Sequence, residues 1–388
     1  MSEYNRINKY KIFIIAGELS GDNLGEGLLI NLKQLLDDKI EIYGVGGPKM
    51  ISQGLTPIFN IKSLSVMGII EVLIKIPRIL RLLNFTKQKI IEINPDIVIT
   101  IDAPGFNLRL QKSIKDLDIK QVHYVAPSVW AWKSYRAKKI AKYLDSLLVL
   151  FPFEKELFIK EGLNTTFVGH PIAFDTNFIK NRFFLEKSLD NKNIIKIGML
   201  PGSRFGEIKK LLPVFIESAN LLKTNYANIK FYVVTLKEYK DVITNAFDKT
   251  KLDYYVTDNA KERYNIYSKV DFVLCASGSV TMEVAKAGTA MLVVYKLNFL
   301  TWFILKAMVK VKTATILNII LKENIIPEFF QKDVNALNLF RNIKNYIDNA
   351  TLRDEQIAKL NIAINSLKNN KNPSLIASET VLSCLRER

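Results

Sequence analysis

Short, unbroken apolar runs alternate along the chain with longer stretches whose apolar residues recur every three or four positions. The runs fall at residues 11–17, 40–45, 96–101, 121–126 and 146–150 in the first half, and at 196–200, 231–235, 252–256, 270–274 and 290–295 in the second. Runs of this length, rich in Ile, Val and Phe, predict strands of a parallel sheet buried on both faces. The helical spacing between them predicts helices over 23–36, 207–222 and 280–288. From about 175 to 193 the pattern loosens into polar, charged sequence. Strands alternating with helices on both sides of that break predict an α/β fold of two doubly wound, Rossmann-like domains facing a central cleft. The bounds read as 1–175 and 176–355, followed by a C-terminal helical region over 356–388.

One turn organises the second half. The run 270–274 leads into Ser277-Gly278-Ser279, and Val280, Val284 and Ala287 then share one helical face. Small residues at a strand-to-helix turn leave the first helical amides uncovered, which makes an anion site. Glu283 stands one turn in, where a carboxylate could accept hydrogen bonds from a ribose. An ordinary turn capped by serine reads the same way. Pro201-Gly202-Ser203-Arg204 makes a second strand-to-helix turn that should open on the same sheet edge, and its arginine could neutralise a departing diphosphate.

The first half offers carboxylates. Asp102 follows the run 96–101, at the carboxyl end of a strand where functional groups of open α/β sheets gather. It is a candidate general base or a helix cap. The segment Glu18-Leu19-Ser20-Gly21-Asp22 reads as a turn that could meet sugar hydroxyls or ease a helix start. Trp130 and Trp132 could wall a sugar or wedge a core. Residues 64–85 form a wide apolar face with basic edges at Lys75, Arg78 and Arg81, split by Pro77 as the start of a second helix. That pattern suits a helix lying on a membrane, or a core pair with solvated lysines.

Composition narrows the partners. The net charge of +17 points to a nucleic acid, an anionic membrane or a phosphorylated substrate, or reflects a lysine-rich surface. No helix-turn-helix, zinc finger or RNP-type pattern is present, so nucleic acid is not expected. With 2 cysteines there is no disulfide framework or CxxC metal site, and the chain suits a reducing compartment. No DxD-like acidic pair stands where a metal–diphosphate site would need it and there is no His/Cys cluster, so neither a metal nor a cofactor is expected. No window reaches the ~20 apolar residues of a membrane span.

Several long motifs together resemble the lipid-A-disaccharide synthase family over most of the chain. They are AGELSGD (16–22), GVGGPKM (44–50), VMGIIEVL (66–73), PDIVITIDAPGFNLRL (95–110), HYVAPSVWAW (123–132), FPFEKELF (151–158), FVGHPI (167–172), LPGSR (200–204), ASGSVTMEVAKAGTAMLVVYK (276–296), LNII (317–320) and PEFFQ (327–331). Leu19, Ala126, Gly105 and Leu317 depart from the family pattern, and Gly105 bears on the loop after Asp102. The resemblance implies a GT-B-like, inverting, metal-independent glycosyltransferase. The implied donor is UDP-2,3-diacylglucosamine, and the acceptor is 2,3-diacylglucosamine 1-phosphate (lipid X). It implies Asp102 as base, and Arg204, Ser277, Gly278, Ser279 and Glu283 as the hold on UDP. Asn318 is assigned to the donor site, and Glu18 and Ser20 lie near the sugar cleft. It also implies a cytoplasmic protein, peripheral on the inner face of the inner membrane, and leaves room for a homodimer. A rival reading is another GT-B enzyme of UDP-sugars, such as a membrane-associated N-acetylglucosaminyltransferase or an epimerase.

Acylated substrates give the stretches 64–85 and 298–312 a purpose as membrane contacts. Replacing Val66, Met67 or Leu73 by serine should weaken liposome sedimentation and spare UDP binding; unchanged sedimentation would count against these contacts.

Overall fold

The computed structural model describes residues 9–64, 69–129, 135–177, 194–297 and 313–387, with the backbone alone for 69–75. Val66, Met67, Trp130, Trp132 and the stretch 298–312 lie outside the described residues, as does the side chain of Leu73. The chain divides into two compact units, residues 1–170 with 369–388, and residues 171–368.

The first unit is built on a seven-stranded parallel sheet. Its strands are β1 (Tyr10–Ala16), β2 (Ile40–Val45), β3 (Leu55–Pro57), β4 (Ile97–Ile101), β5 (Lys120–Tyr124), β6 (Ser146–Val149) and β7 (Asn164–Phe167). They lie in the order β3-β2-β1-β4-β5-β6-β7. The second unit has a six-stranded parallel sheet of β8 (Ile195–Leu200), β9 (Ile229–Val234), β10 (Tyr254–Thr257), β11 (Phe272–Ala276), β12 (Met291–Tyr295) and β13 (Glu328–Phe330). The order there is β10-β9-β8-β11-β12-β13. Strands β4 and β11 are buried at every residue, as their unbroken apolar runs require when helices cover both faces. The short edge strands β3, β7 and β13 carry too few apolar residues to stand out in the sequence.

Each sheet reverses its order once, between β1 and β4 and between β8 and β11. The ladders there pair Ala16 with Ile101 and Leu200 with Cys275. In each sheet, the two loops that leave these strand ends therefore open side by side, at the crevice where ligands of such sheets bind.

The helices differ from expectation in three places. Leu19–Leu35 begins four residues early, so Ser20, Gly21 and Asp22 form its first turn and not a separate loop. Gly21 makes this possible by letting the turn pack flat on the ends of β1 and β4. The helix Ile69–Ile93 runs straight through Pro77 and is not split there. Proline forfeits one hydrogen bond in a helix interior, and the burial of Leu83, Thr86 and Ile90 against the core outweighs that loss. The terminal region is two helices belonging to different units: Ala350–Ser366 to the second and Pro373–Arg386 to the first. The last helix packs on Leu19–Leu35, where Ser378 donates to the Leu28 carbonyl at 3.0 Å.

Asp22 links two motifs of the first unit. Its buried carboxylate accepts from the amides of Gly47 (2.7 Å), Lys49 (3.1 Å) and Met50 (3.1 Å), and so caps the short helix Pro48–Ser52. An acidic side chain in the first turn of one helix is thus the cap of another. Replacing Asp22 by alanine leaves three amides without an acceptor and should lower stability by about 2–3 kcal/mol in urea unfolding. Asp22→Asn, which keeps an acceptor oxygen, should lose less.

Candidate active site

At the end of β4 the backbone is forced into an uncommon shape. Asp102 and Ala103 are both left-handed, at φ 52° and 44°, and Val125, just past β5, has φ 76°. Such residues cost on the order of 1–3 kcal/mol each and persist only where their surroundings over-determine them. Here the Asp102 N–H donates to the Tyr124 carbonyl at 2.8 Å. Asn107, fully buried, donates its amide to the Ile101 carbonyl (3.1 Å) and to the Asp102 carbonyl (2.7 Å). Gly17, on the neighbouring strand end, leaves room for this turn: a Cβ there would lie 2.2 Å from that of Ala103. Gly105 faces open space, so the family's acidic residue could be accommodated and its absence leaves the loop intact.

The turn holds the Asp102 carboxylate at the crevice. Burial pushes its pKa above the ordinary value of 3.8, against a smaller opposing effect of the Ala103 N–H. Burial pushes His123 down to about 3 and His170 down to about 4. His123 is also held by Thr100, Nδ1 to hydroxyl at 2.7 Å, inside the sheet. Glu18 and Ser20 are exposed beside the Asp102 loop, at the start of the helix that leaves β1. Glu18 caps that helix with its backbone alone and makes no side-chain cap bond.

The second unit repeats the arrangement with opposite charge. Arg204 is exposed at the N-cap of the helix Phe205–Asn225 and pairs with Glu207 at 3.1 Å. Gly202, at φ 116°, brings the loop against Glu207, whose carboxylate also accepts from the Ser203 N–H at 3.3 Å. Beside it, after β11, Gly278 and Ser279 are exposed. Ser279 makes no side-chain cap bond, so this turn is not the serine cap that the sequence also allowed. Thr281 instead donates its hydroxyl to the Gly278 carbonyl at 2.8 Å. The amides of Ser277, Thr281 and Met282 are bonded to Val294, Gly278 and Ser279 carbonyls, whereas those of Gly278, Ser279 and Val280 have no partner among the described residues. An arginine and three open amides on one edge can bind an anion.

Glu283 is half-buried, one turn into the helix Val280–Lys286. Arg263, on the helix Ala260–Lys269, lies against it with Nε 3.6 Å from Oε2. Nothing in the sequence signals this pair, since 20 residues and a strand separate the partners. Asn107 did carry a signal: an asparagine inside a helix favours bonding to nearby backbone groups. Asn318 is 1% exposed within the second unit. Its amide accepts from Ile325 (3.1 Å) and Ile326 (2.9 Å) and donates to the Ile326 carbonyl (3.0 Å). It fixes the turn before β13 and offers no exposed surface for a ligand. From that turn Glu328 accepts from Ala314 and Thr315, and Gln331 accepts from the Leu297 amide at 2.7 Å.

Solved structures of similar shape share this fold. MurG of Acinetobacter baumannii matches with a TM-score of 0.56 over 97% of this chain and 99% of its own, at 15% identity. A Staphylococcus aureus MnaA–UDP structure matches with a TM-score of 0.59 over 97% and 96%, at 14% identity. Two parallel α/β units, each with its strand order reversed once, place the chain in the GT-B fold class with these structures. Within that class the sequence is more specific. The family model for lipid-A-disaccharide synthetase matches residues 12–379. The lipid-A-disaccharide synthase of Rickettsia prowazekii is 34% identical over 380 residues, covering 96% of this chain and 98% of its own. That of Alteromonas mediterranea is 36% identical over 356 residues, covering 88% and 91%. The chain belongs to the lipid-A-disaccharide synthetase family.

If Asn107 holds the turn that presents Asp102, Asn107→Ala should lower disaccharide formation about 10–100-fold by misplacing one reacting group. UDP binding, assigned to the other unit, should stay unchanged in the same titrations.

Proposed function

We propose that the chain transfers 2,3-diacylglucosamine from UDP-2,3-diacylglucosamine to the 6-hydroxyl of 2,3-diacylglucosamine 1-phosphate, with inversion, giving the β(1→6) disaccharide 1-phosphate and UDP. The observation that carries the chemistry is Asp102: a half-buried carboxylate at the crevice of the first unit, presented by a turn of two left-handed residues that Asn107 ties down. Asp102 takes the proton of the acceptor hydroxyl as its oxygen attacks the anomeric carbon. The bond from that carbon to the diphosphate breaks on the opposite face, and the electron pair leaves with UDP.

The second unit meets that charge. Arg204 and the amides of 278–280 accept the diphosphate, so its departure needs no metal ion. Arg204 must first release Glu207. Their exposed pair is worth about 0–1 kcal/mol, and a diphosphate offers the guanidinium a stronger, two-pronged contact. Ser277 and Ser279 add hydroxyls, and Glu283 accepts from the ribose. Glu18 and Ser20 contact the sugar in the first unit. Asn318 contributes through the turn it fixes.

Both substrates carry acyl chains, which favours a peripheral place on an anionic membrane. No helix among the described residues is long and apolar enough to cross one. The helix Ile69–Ile93 exposes Ile76 and Leu80 beside Arg78 and Arg81, a face suited to lipid and head groups.

Asp102→Asn should lower turnover by about 10²–10⁴-fold, the usual size of a general-base contribution, with UDP affinity retained. Loss of UDP binding would move Asp102 to the donor and overturn its role. Because the base acts when ionised, the rate should be full at high pH and fall as pH drops through a value above 3.8, and this acid limb should vanish in Asp102→Asn.

A further inference from the structure

The second unit holds a pair that the proposed chemistry uses only in part. Glu283 and Arg263 face each other across two packed helices, Nε to Oε2 at 3.6 Å, with their side chains 20% and 32% exposed. The two facing atoms are themselves buried, and neither has a hydrogen-bond partner among the described residues. The separation is too long for a hydrogen bond and short enough for a charge pair. Arg263 is braced from behind. Its Nη2 donates to the Tyr264 hydroxyl at 2.9 Å and its guanidinium lies over that ring at 4.9 Å. The guanidinium is thereby held against the buried Oε2 of Glu283.

We propose that Arg263 is a positioning residue for the nucleotide: it backs Oε2 of Glu283 and so presents the other carboxylate oxygen to the sugar hydroxyls of a nucleoside diphosphate. This rests on Glu283 being a donor contact. The physical need is plain. A carboxylate accepts strongly from two hydroxyls only while it is ionised and held in one orientation. Burial works against ionisation of Glu283, as does the charge of Asp175, while Arg263 works for it. Tyr267, behind the pair and itself pushed upward by burial, stays neutral. The helix Ala350–Ser366, packed on the same element, brings no charge to bear on Glu283. Arg263 is thus the one favourable charge on Glu283 among the described residues.

The test is calorimetric titration of the full chain with UDP, comparing Arg263→Met, Arg263→Lys, Glu283→Gln and the double variant Arg263→Met/Glu283→Gln. Arg263→Met should weaken UDP about 10-fold, the size of a lost charged contact, and Arg263→Lys should restore most of it. Without the guanidinium Glu283 protonates at higher pH, so the deficit relative to the parent should be larger at the lower of two pH values than at the higher. The double variant should bind no worse than Glu283→Gln alone, because Arg263 acts through that carboxylate. Unchanged affinity in Arg263→Met would overturn the proposal and leave Glu283 as a donor contact. Additive losses in the double variant would overturn it too, by giving Arg263 a separate contact or a purely structural role. Unchanged affinity in Glu283→Gln would instead overturn the donor reading of Glu283 itself. A deficit of equal size at both pH values, not repaired by lysine, would mark general damage and count against the proposal.

Discussion

The placement of Asp102 in the first unit depends on two consecutive left-handed residues that an ordinary chain would avoid. A strand that ended in relaxed backbone would send Asp102 along the sheet axis and into the next helix as a cap. The kink at Asp102 and Ala103 turns it aside, and the cost is met locally. Asn107 ties down the carbonyls of Ile101 and Asp102, Tyr124 takes the Asp102 amide, and Gly17 makes way for Ala103. The strain and the carboxylate's partial burial come from the same constraint, since the turn that presents Asp102 also withdraws it from water.

The second unit solves a complementary problem with less strain. The proposed hold on a departing diphosphate there calls for donors left uncommitted. Among the described residues, three amides after β11 have no partner and Arg204 is engaged in a weak exposed pair with Glu207. Glu283 is the exception: a negative group placed among donors, tolerable because Arg263 stands behind it. The two sheets share a topology, and the difference in function lies in which side chains occupy the four loops at the reversals.

Much of this was legible in the sequence because the relevant signals are local. Apolar runs such as 96–101 and 270–274 mark buried strands, and residues just past a strand end in such a fold lie near ligand. Asp102, Arg204 and the Ser277–Ser279 turn all came from that rule. What escaped was set by contacts distant in sequence. Asp22 looked like an acidic neighbour of the crevice, yet it caps the loop 47–50. The bonds by which Asn318 holds the amides of Ile325 and Ile326 had no mark in the sequence either. Pro77 looked like a boundary, and tertiary packing carried the helix through it. Arg263 had no local mark at all, because its partner lies on another helix.

The final helix has a consequence for how the molecule is made. Ala377, Val381, Leu382, Cys384 and Leu385 are buried in the hydrophobic core of the first unit, and Asn369 ties to the Phe167 carbonyl at 2.8 Å. The segment that completes the first unit is therefore synthesised after the whole of the second. A ribosome that has translated residues 1–170 has released a sheet whose helix Leu19–Leu35 still has a bare apolar flank. That flank stays open to chaperones or to misassociation until the intervening unit, residues 171–368, has emerged. The second unit, contiguous over that span, carries no such delay.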